Sequence, residues 1–304
     1  MHSHASSQRA LAIVLALNLV TFLVELVAGW WTNSLALYSD AGHMLGDVGA
    51  IALSLGAARL AARPPSPEKT WGWHRSEILA ALANGVTLVV IAALVAMEAS
   101  RRLTAPPAVP GSIVAWVAFA GLVVNLLSVV ILARGIGQDL NRKGAFLHAS
   151  ADALGSLGAL AAGVAMARFG WWLADPLASM FIAALVLVAG LRYLRDTVHV
   201  LMEGAPASIQ VSRLRAAMEG AEGVRAVHDL HVWSVTSRFA VLSAHVVTAP
   251  ETSLADAQTV LARVRALLAK DFAIEHATLQ LDPEAPACDP CDVAPLPVER
   301  SGIA

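Results

Sequence analysis

The first two thirds of the chain consist of apolar segments that are long enough to cross a lipid bilayer. A helix needs about 20 residues to span roughly 30 Å of hydrocarbon. Such segments must satisfy their backbone hydrogen bonds internally, because lipid offers no partners. Turn residues, several of them prolines, separate the segments. The pattern predicts transmembrane helices over residues 10–31, 36–60, 78–100, 112–134, 145–168 and 175–197.

The composition also indicates an integral membrane protein. Of the 304 residues, 57% are apolar and only 14% are charged, whereas about 25% of the residues of a soluble domain are charged. The mean hydropathy is +0.63. There is no basic stripe interleaved with aromatic residues, so we expect no nucleic-acid partner.

The distribution of Lys and Arg in the short loops predicts the orientation of the chain. One side carries only Arg101, Arg102 and Arg168. The other side collects Arg9, Arg59, Arg63, Lys69, Arg75, Arg134, Arg142, Lys143, Arg192 and Arg195. We therefore expect a multi-pass protein of the cell membrane, in contact with lipid, with both termini in the cytoplasm.

The sequence pattern changes after about Gly204. A short helix over 208–220 is followed by two segments rich in β-branched residues, VRAVHDLHVWSV and FAVLSAHVVT, then by an amphipathic helix over 252–270 and an alternating segment, IEHATLQLD. This order predicts a cytoplasmic α+β domain of the ferredoxin-like (αββαβ) type. The predicted division is a tail over 1–9, a six-helix transmembrane domain over 10–200, the α+β domain over 205–283 and an irregular tail over 284–304.

Two copies of the pattern His-x-x-x-Asp lie inside predicted transmembrane helices, as His43 with Asp47 and His148 with Asp152. Four residues are just over one helical turn, so each pair projects from one helix face. A carboxylate at the centre of a bilayer costs about 2.5–3.5 kcal/mol, so such residues are usually functional. Two imidazoles and two carboxylates would form a tetrahedral site for zinc. Hydrogen bonding between helices is the alternative, but it explains two matched pairs less well.

Three further polar residues lie in these apolar segments, and the sequence leaves their roles open. Glu25 and Asn125 either line a hydrated path and support the metal ligands, or form hydrogen bonds between helices. Asp40 lies one turn before His43. It could join the metal site, lie nearer the outer mouth, or cap its helix.

The strings SLALYSDAGHMLGDVGA, TWGWHRSEILAALANG and AFLHASADALGSLGA resemble the membrane motifs of the cation diffusion facilitator family. VHDLHVWSV and VLSAHVV resemble its cytoplasmic domain, and the details are similar to the subgroup of vesicular zinc transporters and bacterial zinc-resistance proteins. This resemblance implies a homodimer of six-helix protomers, each of which exchanges a cytoplasmic divalent metal for protons. His43 stands where some members have Asp. In the family, a histidine at this position is associated with a preference for zinc over cadmium.

The resemblance also implies a metal site in the cytoplasmic domain, with His228, His245 and Asp282 as ligands. Gln280 stands where other members have a His, so a two-metal cluster is not expected. His231 is a neighbouring alternative to His228, but strand alternation places it on the opposite face. The plain alternative is that these are surface histidines on a sheet.

Both cysteines of the chain, Cys288 and Cys291, lie in a C-terminal CxxC. This pair is a good thiolate donor for zinc, with His2 and His4, from the other protomer, as candidates to complete the site. A redox pair is the alternative. His74 lies in the loop before the third helix, where members of the family sometimes bind a metal. The other expected ligands are missing here, so we expect His74 to have a structural role at the membrane surface.

These patterns predict proton-coupled efflux of divalent metal by alternating access, with zinc as the substrate. Metal and protons compete, because the ligands must be deprotonated before they bind a metal ion. Cadmium, cobalt, iron and nickel are further candidate substrates. We expect zinc to be both the substrate and a regulatory ligand, and we expect no prosthetic group.

The alternative functions are a membrane metal sensor and an intramembrane metalloenzyme. The sequence has no HExxH motif and no nucleophile with a partner, so we expect no enzyme.

Overall fold

The computed structural model describes residues 2–133, 140–236 and 239–283. Within the helices, it does not describe the side chains of residues 2–12, 15, 47, 51, 132, 140–145, 147 and 148. The described residues form two compact units, one built from residues up to 59 together with 79–195, the other from residues 60–78 and those from 196 onward.

Long helices build the first unit, and they coincide with the predicted segments to within a few residues at most ends. Their bounds are α1 His2–Thr32, α2 Leu35–Ala61, α3 Ser76–Thr104, α4 Gly111–Ala133, α5 Leu140–Phe169 and α6 Ala174–Leu201. Helices α1 and α5 begin well before the predicted segments, because the polar residues that precede each segment continue the helix. Among the described residues, five helical stretches are long and apolar enough to span a membrane, and Ala16–Thr32 of α1 is a shorter apolar helix.

Small residues allow α4 and α5 to approach each other at backbone distance. A Cβ atom added at Gly163 of α5 would lie 2.5 Å from the backbone nitrogen of Ala115 of α4. One turn earlier on α4, a Cβ at Gly111 would lie 2.5 Å from the Cβ of Met166 and 2.8 Å from the carbonyl oxygen of Gly163. Side chains larger than glycine at these two positions would push the helices apart.

The N-terminus of α2 is held by a carboxylate from α6. Asp175 is buried and accepts a hydrogen bond from the Ser34 hydroxyl at 2.5 Å. It also accepts from the backbone N–H groups of Leu35 at 2.8 Å and Ala36 at 3.2 Å. These amides are among the donors that a helix leaves unsatisfied in its first turn, and a negative charge there is favourable. The first turns of α2 and α6 are therefore tied together.

The second unit contains a three-stranded sheet and two helices. The elements in chain order are α7 Val211–Glu219, β1 Ala226–Thr236, β2 Phe239–Val247, α8 Leu254–Phe272 and β3 His276–Asp282. The sheet order is β1-β2-β3. Strands β1 and β2 pair antiparallel, whereas β2 and β3 pair parallel, so α8 makes the crossover between them. The order helix–strand–strand–helix–strand is the predicted one.

The core of this unit lies between the helices and one face of the sheet. Leu214 and Met218 of α7 and Val264 and Leu268 of α8 are fully buried against Leu242 of β2. Burying apolar side chains of this size contributes about 1.5–3 kcal/mol each.

The segment between α2 and α3 packs on the sheet of the same unit. The indole of Trp71 lies edge-on to His276, with 4.8 Å between ring centroids, and 5.9 Å from Phe239. The ring of His74 lies 5.8 Å from that of Phe239. In this unit His74 therefore packs against an aromatic side chain of β2.

Candidate metal sites

One predicted pair of metal ligands meets across two helices of the first unit. The Nε2 atom of His43 on α2 lies 3.2 Å from Oδ1 of Asp152 on α5. The side chain of Asp152 is 3% exposed and that of His43 is 17% exposed. Neighbouring ligand atoms of a tetrahedral zinc ion lie about 3.3 Å apart, given bond lengths of about 2.0–2.2 Å. The spacing of this nitrogen and this oxygen therefore suits two ligands of one zinc ion.

The other two predicted ligands lie on the same two helices. Asp47 follows His43 by four residues on α2, and His148 precedes Asp152 by four residues on α5. Their side chains are outside the described part of the structure. The described geometry therefore covers one ligand from each of the two predicted pairs.

A hydrogen-bonded row of polar groups lies next to the pair. The Ser156 hydroxyl of α5 donates to Oδ2 of Asp40 on α2 at 3.2 Å. It accepts a hydrogen bond from Nδ2 of Asn125 on α4 at 3.1 Å. Asn125 therefore bonds a neighbouring helix, one of the two roles that the sequence left open. Asp40 does not cap α2, because it lies inside the helix, and Asp175 holds the first-turn amides.

The second unit brings together all three ligands that were predicted for the cytoplasmic domain. His228 and His245 are register partners on β1 and β2, and their rings lie 4.9 Å apart. Oδ2 of Asp282, at the end of β3, lies 2.8 Å from Nδ1 of His245 and 3.1 Å from Nε2 of His228. One ligand atom from each residue lies within 4.8 Å of the others. We call these three residues the sheet cluster.

The electrostatics of the sheet cluster suit a cation. Burial acts to raise the pKa of Asp282, but hydrogen bonds from Gln280 and His245, and the charges of His245 and His228, lower it below its usual value. Among the described residues, the buried Nε2 atom of His228 has no hydrogen-bond partner of suitable geometry. Two imidazole nitrogens and one ionised carboxylate form a donor set that zinc accepts.

Sequence reasoning missed a fourth polar residue at the sheet cluster. Asp229 places one carboxylate oxygen 3.5 Å from Nε2 of His245 and the other 2.7 Å from Nε2 of His231. Its backbone has φ of 50°, and the strand register shifts between His228 and His231. A bulge of this kind adds an extra residue, so the alternation that placed His231 on the opposite face does not hold across it. The only signal in the sequence is that Asp tolerates this left-handed conformation better than most residues.

Cys288 and Cys291 lie outside the described residues, as do the side chains of His2 and His4. The structure therefore describes no geometry for the predicted CxxC site.

Comparison with known proteins covers almost the whole chain. Residues 11–202 match the cation efflux transmembrane domain, and residues 206–284 match the cytoplasmic domain of cation efflux proteins. The chain is 39% identical over 288 residues to the cadmium, cobalt and zinc/H(+)-K(+) antiporter of Bacillus subtilis. The matched region covers 93% of this chain and 92% of that protein. The chain is 38% identical over 290 residues to the zinc transporter ZitB of Escherichia coli, which covers 92% of this chain and 91% of that one.

Among solved structures, the metal-bound C-terminal domain of the CzcD transporter from Cupriavidus metallidurans is 32% identical. The match covers 24% of this chain and 99% of that chain, with a TM-score of 0.22. The two domain matches and the two full-length relatives agree with the motifs that first indicated the family. The chain belongs to the cation efflux family, also known as the cation diffusion facilitators, which includes transporters of zinc, cadmium and cobalt.

Proposed function

We propose that this protein exports zinc from the cytoplasm in exchange for protons, by alternating access. The observation that carries the proposal is the 3.2 Å approach of His43 to Asp152 between two helices of the membrane unit. Asp47 and His148 complete the site from the same helices. Cadmium and cobalt, named for the Bacillus relative, are further substrates, together with iron and nickel.

The proton coupling follows from the chemistry of the ligands. An imidazole nitrogen and a carboxylate oxygen bind either a proton or the metal, so each displaces the other. Histidine titrates near neutral pH in general, which makes it a suitable proton carrier for a site that must reload in each cycle. Zinc enters the site from the cytoplasm, and protons from the other side replace it after the helices have reoriented.

The proposed architecture is a homodimer in the cell membrane, in which each protomer has six spans and both termini in the cytoplasm. The 31-residue length of α1 supports the sixth span, since it exceeds the thickness of the hydrocarbon core. The element order of the second unit supports a ferredoxin-like cytoplasmic domain.

The sheet cluster is proposed to bind a regulatory zinc ion through His228, His245 and Asp282. Binding there would stabilise one arrangement of the dimer and so bias the transport cycle. Cys288 and Cys291, with His2 and His4 of the other protomer, are proposed as a further zinc site. No prosthetic group takes part in this scheme.

Zinc flux into sealed proteoliposomes, with and without an imposed pH gradient, tests the proposal. We expect the gradient to drive uptake, and Asp152→Asn to reduce it by at least about tenfold, because the variant keeps the shape of the side chain but loses its charge. Glu98→Gln is the matched control, since Glu98 is a partly exposed carboxylate of α3 that pairs with Arg102. Flux that ignores the gradient would refute the coupling. Zinc binding without flux would instead identify a sensor, and chemical turnover without flux an enzyme.

A further inference from the structure

Next to the His43–Asp152 pair lies a second buried acidic group, and it belongs to a different helix. Glu25 on α1 is 1% exposed, and neither of its carboxylate oxygens has a hydrogen-bond partner among the described residues. A buried polar group without a hydrogen bond costs several kcal/mol, and an ionised one costs more. A glutamate in this position therefore needs either a bound cation or a bound proton.

The contacts between α2 and α5 define the region in which Glu25 lies. Asp40 precedes His43 by three residues on α2, whereas Ser156 follows Asp152 by four residues on α5. Because Asp40 meets Ser156 and His43 meets Asp152, the two helices run antiparallel here, and the Asp40–Ser156 contact lies about one turn nearer to the α1–α2 turn.

Helix α4 lies against the carboxylate of Glu25. A Cβ atom added at Gly121 would lie 2.5 Å from Oε1 of Glu25 and 3.6 Å from the Ser156 hydroxyl. The glutamate therefore stands beside the row of Asp40, Ser156 and Asn125. The glycine leaves room for the carboxylate against the α4 backbone, but little more.

This crowding favours a proton over a metal ion as the ligand of Glu25. A zinc ion needs four ligands, and calcium needs six to eight, arranged around the ion. At Oε1 one side is filled by the α4 backbone, and no group among the described residues forms a hydrogen bond with this oxygen. A proton needs only one oxygen and no coordination shell.

The charged groups that face Glu25 also favour a proton. The carboxyl groups of Asp40 on α2 and Asp152 on α5 act on it electrostatically, and His43 on α2 is the ionisable partner of Asp152. Helix α4 contributes no ionisable residue over Gly111–Ala133. Like charges held together in a low dielectric cannot all remain ionised.

We propose that Glu25 carries one of the protons exchanged for metal. This inference rests on the proposed function. With the His43–Asp152 pair free of metal, the Glu25 carboxyl holds a proton. Arrival of a divalent ion at the pair places two positive charges about one turn away, so the O–H bond of Glu25 breaks and the proton leaves to the side that is open. The reverse exchange accompanies release of the metal, since the coupling between the two ligands is reciprocal.

The direct test counts the protons released when zinc binds to the purified full-length protein in detergent. Zinc is titrated into weakly buffered wild-type protein and into Glu25→Gln, with a pH indicator as the readout. At saturating zinc, we expect Glu25→Gln to release about one proton fewer per protein molecule. The sheet cluster contributes equally to both proteins, because the substitution lies in α1, and it drops out of the difference. Glu98→Gln should release as many protons as the wild type. An unchanged count in Glu25→Gln would overturn the proposal.

Infrared difference spectra give a second readout that does not depend on that variant. Addition of zinc should remove the C=O stretch of a protonated carboxyl group in the wild type. Glu25→Asp keeps an ionisable group and should shift this band, even if Glu25→Gln does not fold. A zinc-sensitive band that does not move in Glu25→Asp, or the lack of any such band, would overturn the assignment. Asp152→Asn separates the two proposals: if it retains normal zinc flux, the transport site itself is wrong, whatever Glu25 does.

Discussion

The two candidate metal sites use the same chemical groups but are built in different ways. In the membrane unit, His43 and Asp152 come from two helices and meet at 3.2 Å in a setting where the carboxylate is 3% exposed. In the sheet cluster, His228 and His245 are direct cross-strand partners, and Asp282 follows on the adjacent parallel strand with 17% exposure. The spacing of the sheet cluster is fixed by hydrogen-bonded strand register, whereas that of the membrane pair is fixed only by how two helices pack.

This difference matches what each site is proposed to do. A regulatory site gains from being assembled in advance, because little reorganisation is needed when the metal binds. A transport site must open to one side and then to the other, so ligands on separate helices suit it. The comparison predicts that changes at the membrane pair should affect flux, and that changes at the sheet cluster should affect regulation and local stability.

The largest expected effect comes from making the same substitution, histidine to alanine, at each of the two sites in turn. His43→Ala should reduce zinc flux in proteoliposomes by at least about a hundredfold, because it removes a proposed ligand of the transported ion. His245→Ala should leave flux within about tenfold of the wild type and instead weaken zinc binding at the sheet cluster by about 10–100-fold. Equilibrium zinc binding and flux measured on the same preparations check both. Equal loss of flux in the two variants would contradict the separation.

A smaller effect should follow from loosening α2 at a distance from the pair. Asp175→Ala removes the acceptor of three buried hydrogen bonds at the start of α2, seven to nine residues from His43, or about 12 Å along the helix. We expect the free energy of unfolding of the membrane unit to fall by about 3 kcal/mol, because buried donors lose a charged acceptor.

Thermal unfolding of the full chain in detergent measures this change, and zinc binding at the sheet cluster should be unaffected. Ser179→Ala is the control, since the Ser179 hydroxyl donates only within α6, to the backbone carbonyl of Asp175. If Asp175→Ala is no less stable than Ser179→Ala, the contact between α2 and α6 does not hold the helix in place.

The smallest effect concerns acid stability of the sheet cluster. The pKa of Asp282 is lower in the folded protein than its usual value, so its ionised form stabilises the fold at pH values above the unfolded pKa of about 3.9. That stabilisation should be lost as the pH falls through the lower folded value. Hydrogen exchange of peptides covering β3, measured with metal chelated and corrected for the intrinsic pH dependence of amide exchange, should show less protection in acid for the wild type.

In Asp282→Asn the same exchange should be higher already near neutral pH, and its acid dependence should be weaker. Glu219→Gln, at the exposed end of α7, should behave like the wild type. An identical acid profile in Asp282→Asn would show that this carboxylate contributes nothing to the fold.

Much of the fold and part of the sites could be predicted from the sequence, because the signals are local or periodic. The length of the apolar segments predicted the helices to within a few residues at most ends. Richness in β-branched residues predicted the first two strands, and alternation predicted the third. The meeting of His43 with Asp152 was predictable since polar groups buried in a bilayer need partners. The family resemblance, rather than spacing, indicated the ligands of the sheet cluster, and the strand register explains why they converge.

The rest depends on contacts between elements, which leave no local trace in the sequence. The bulge that brings Asp229 to His245 is one of two register shifts in β1, and it breaks the alternation of side chains there. Asp175 looks like an ordinary first-turn acid of α6, yet its hydrogen bonds go to α2. Gly121 looks like one of many small residues in an apolar helix, and only the structure shows that it borders Glu25.

The backbone-distance contact between α4 and α5 has a mechanical consequence. Because Gly111 and Gly163 let the two helices interlock without intervening side chains, one cannot slide past the other without steric overlap. We therefore expect α4 and α5 to move together, carrying Asp152, Ser156 and Asn125 with them. A movement that separates His43 from Asp152 would therefore take place between this pair of helices and α2, where polar contacts lie beside the buried apolar residues Ala36 and Leu37.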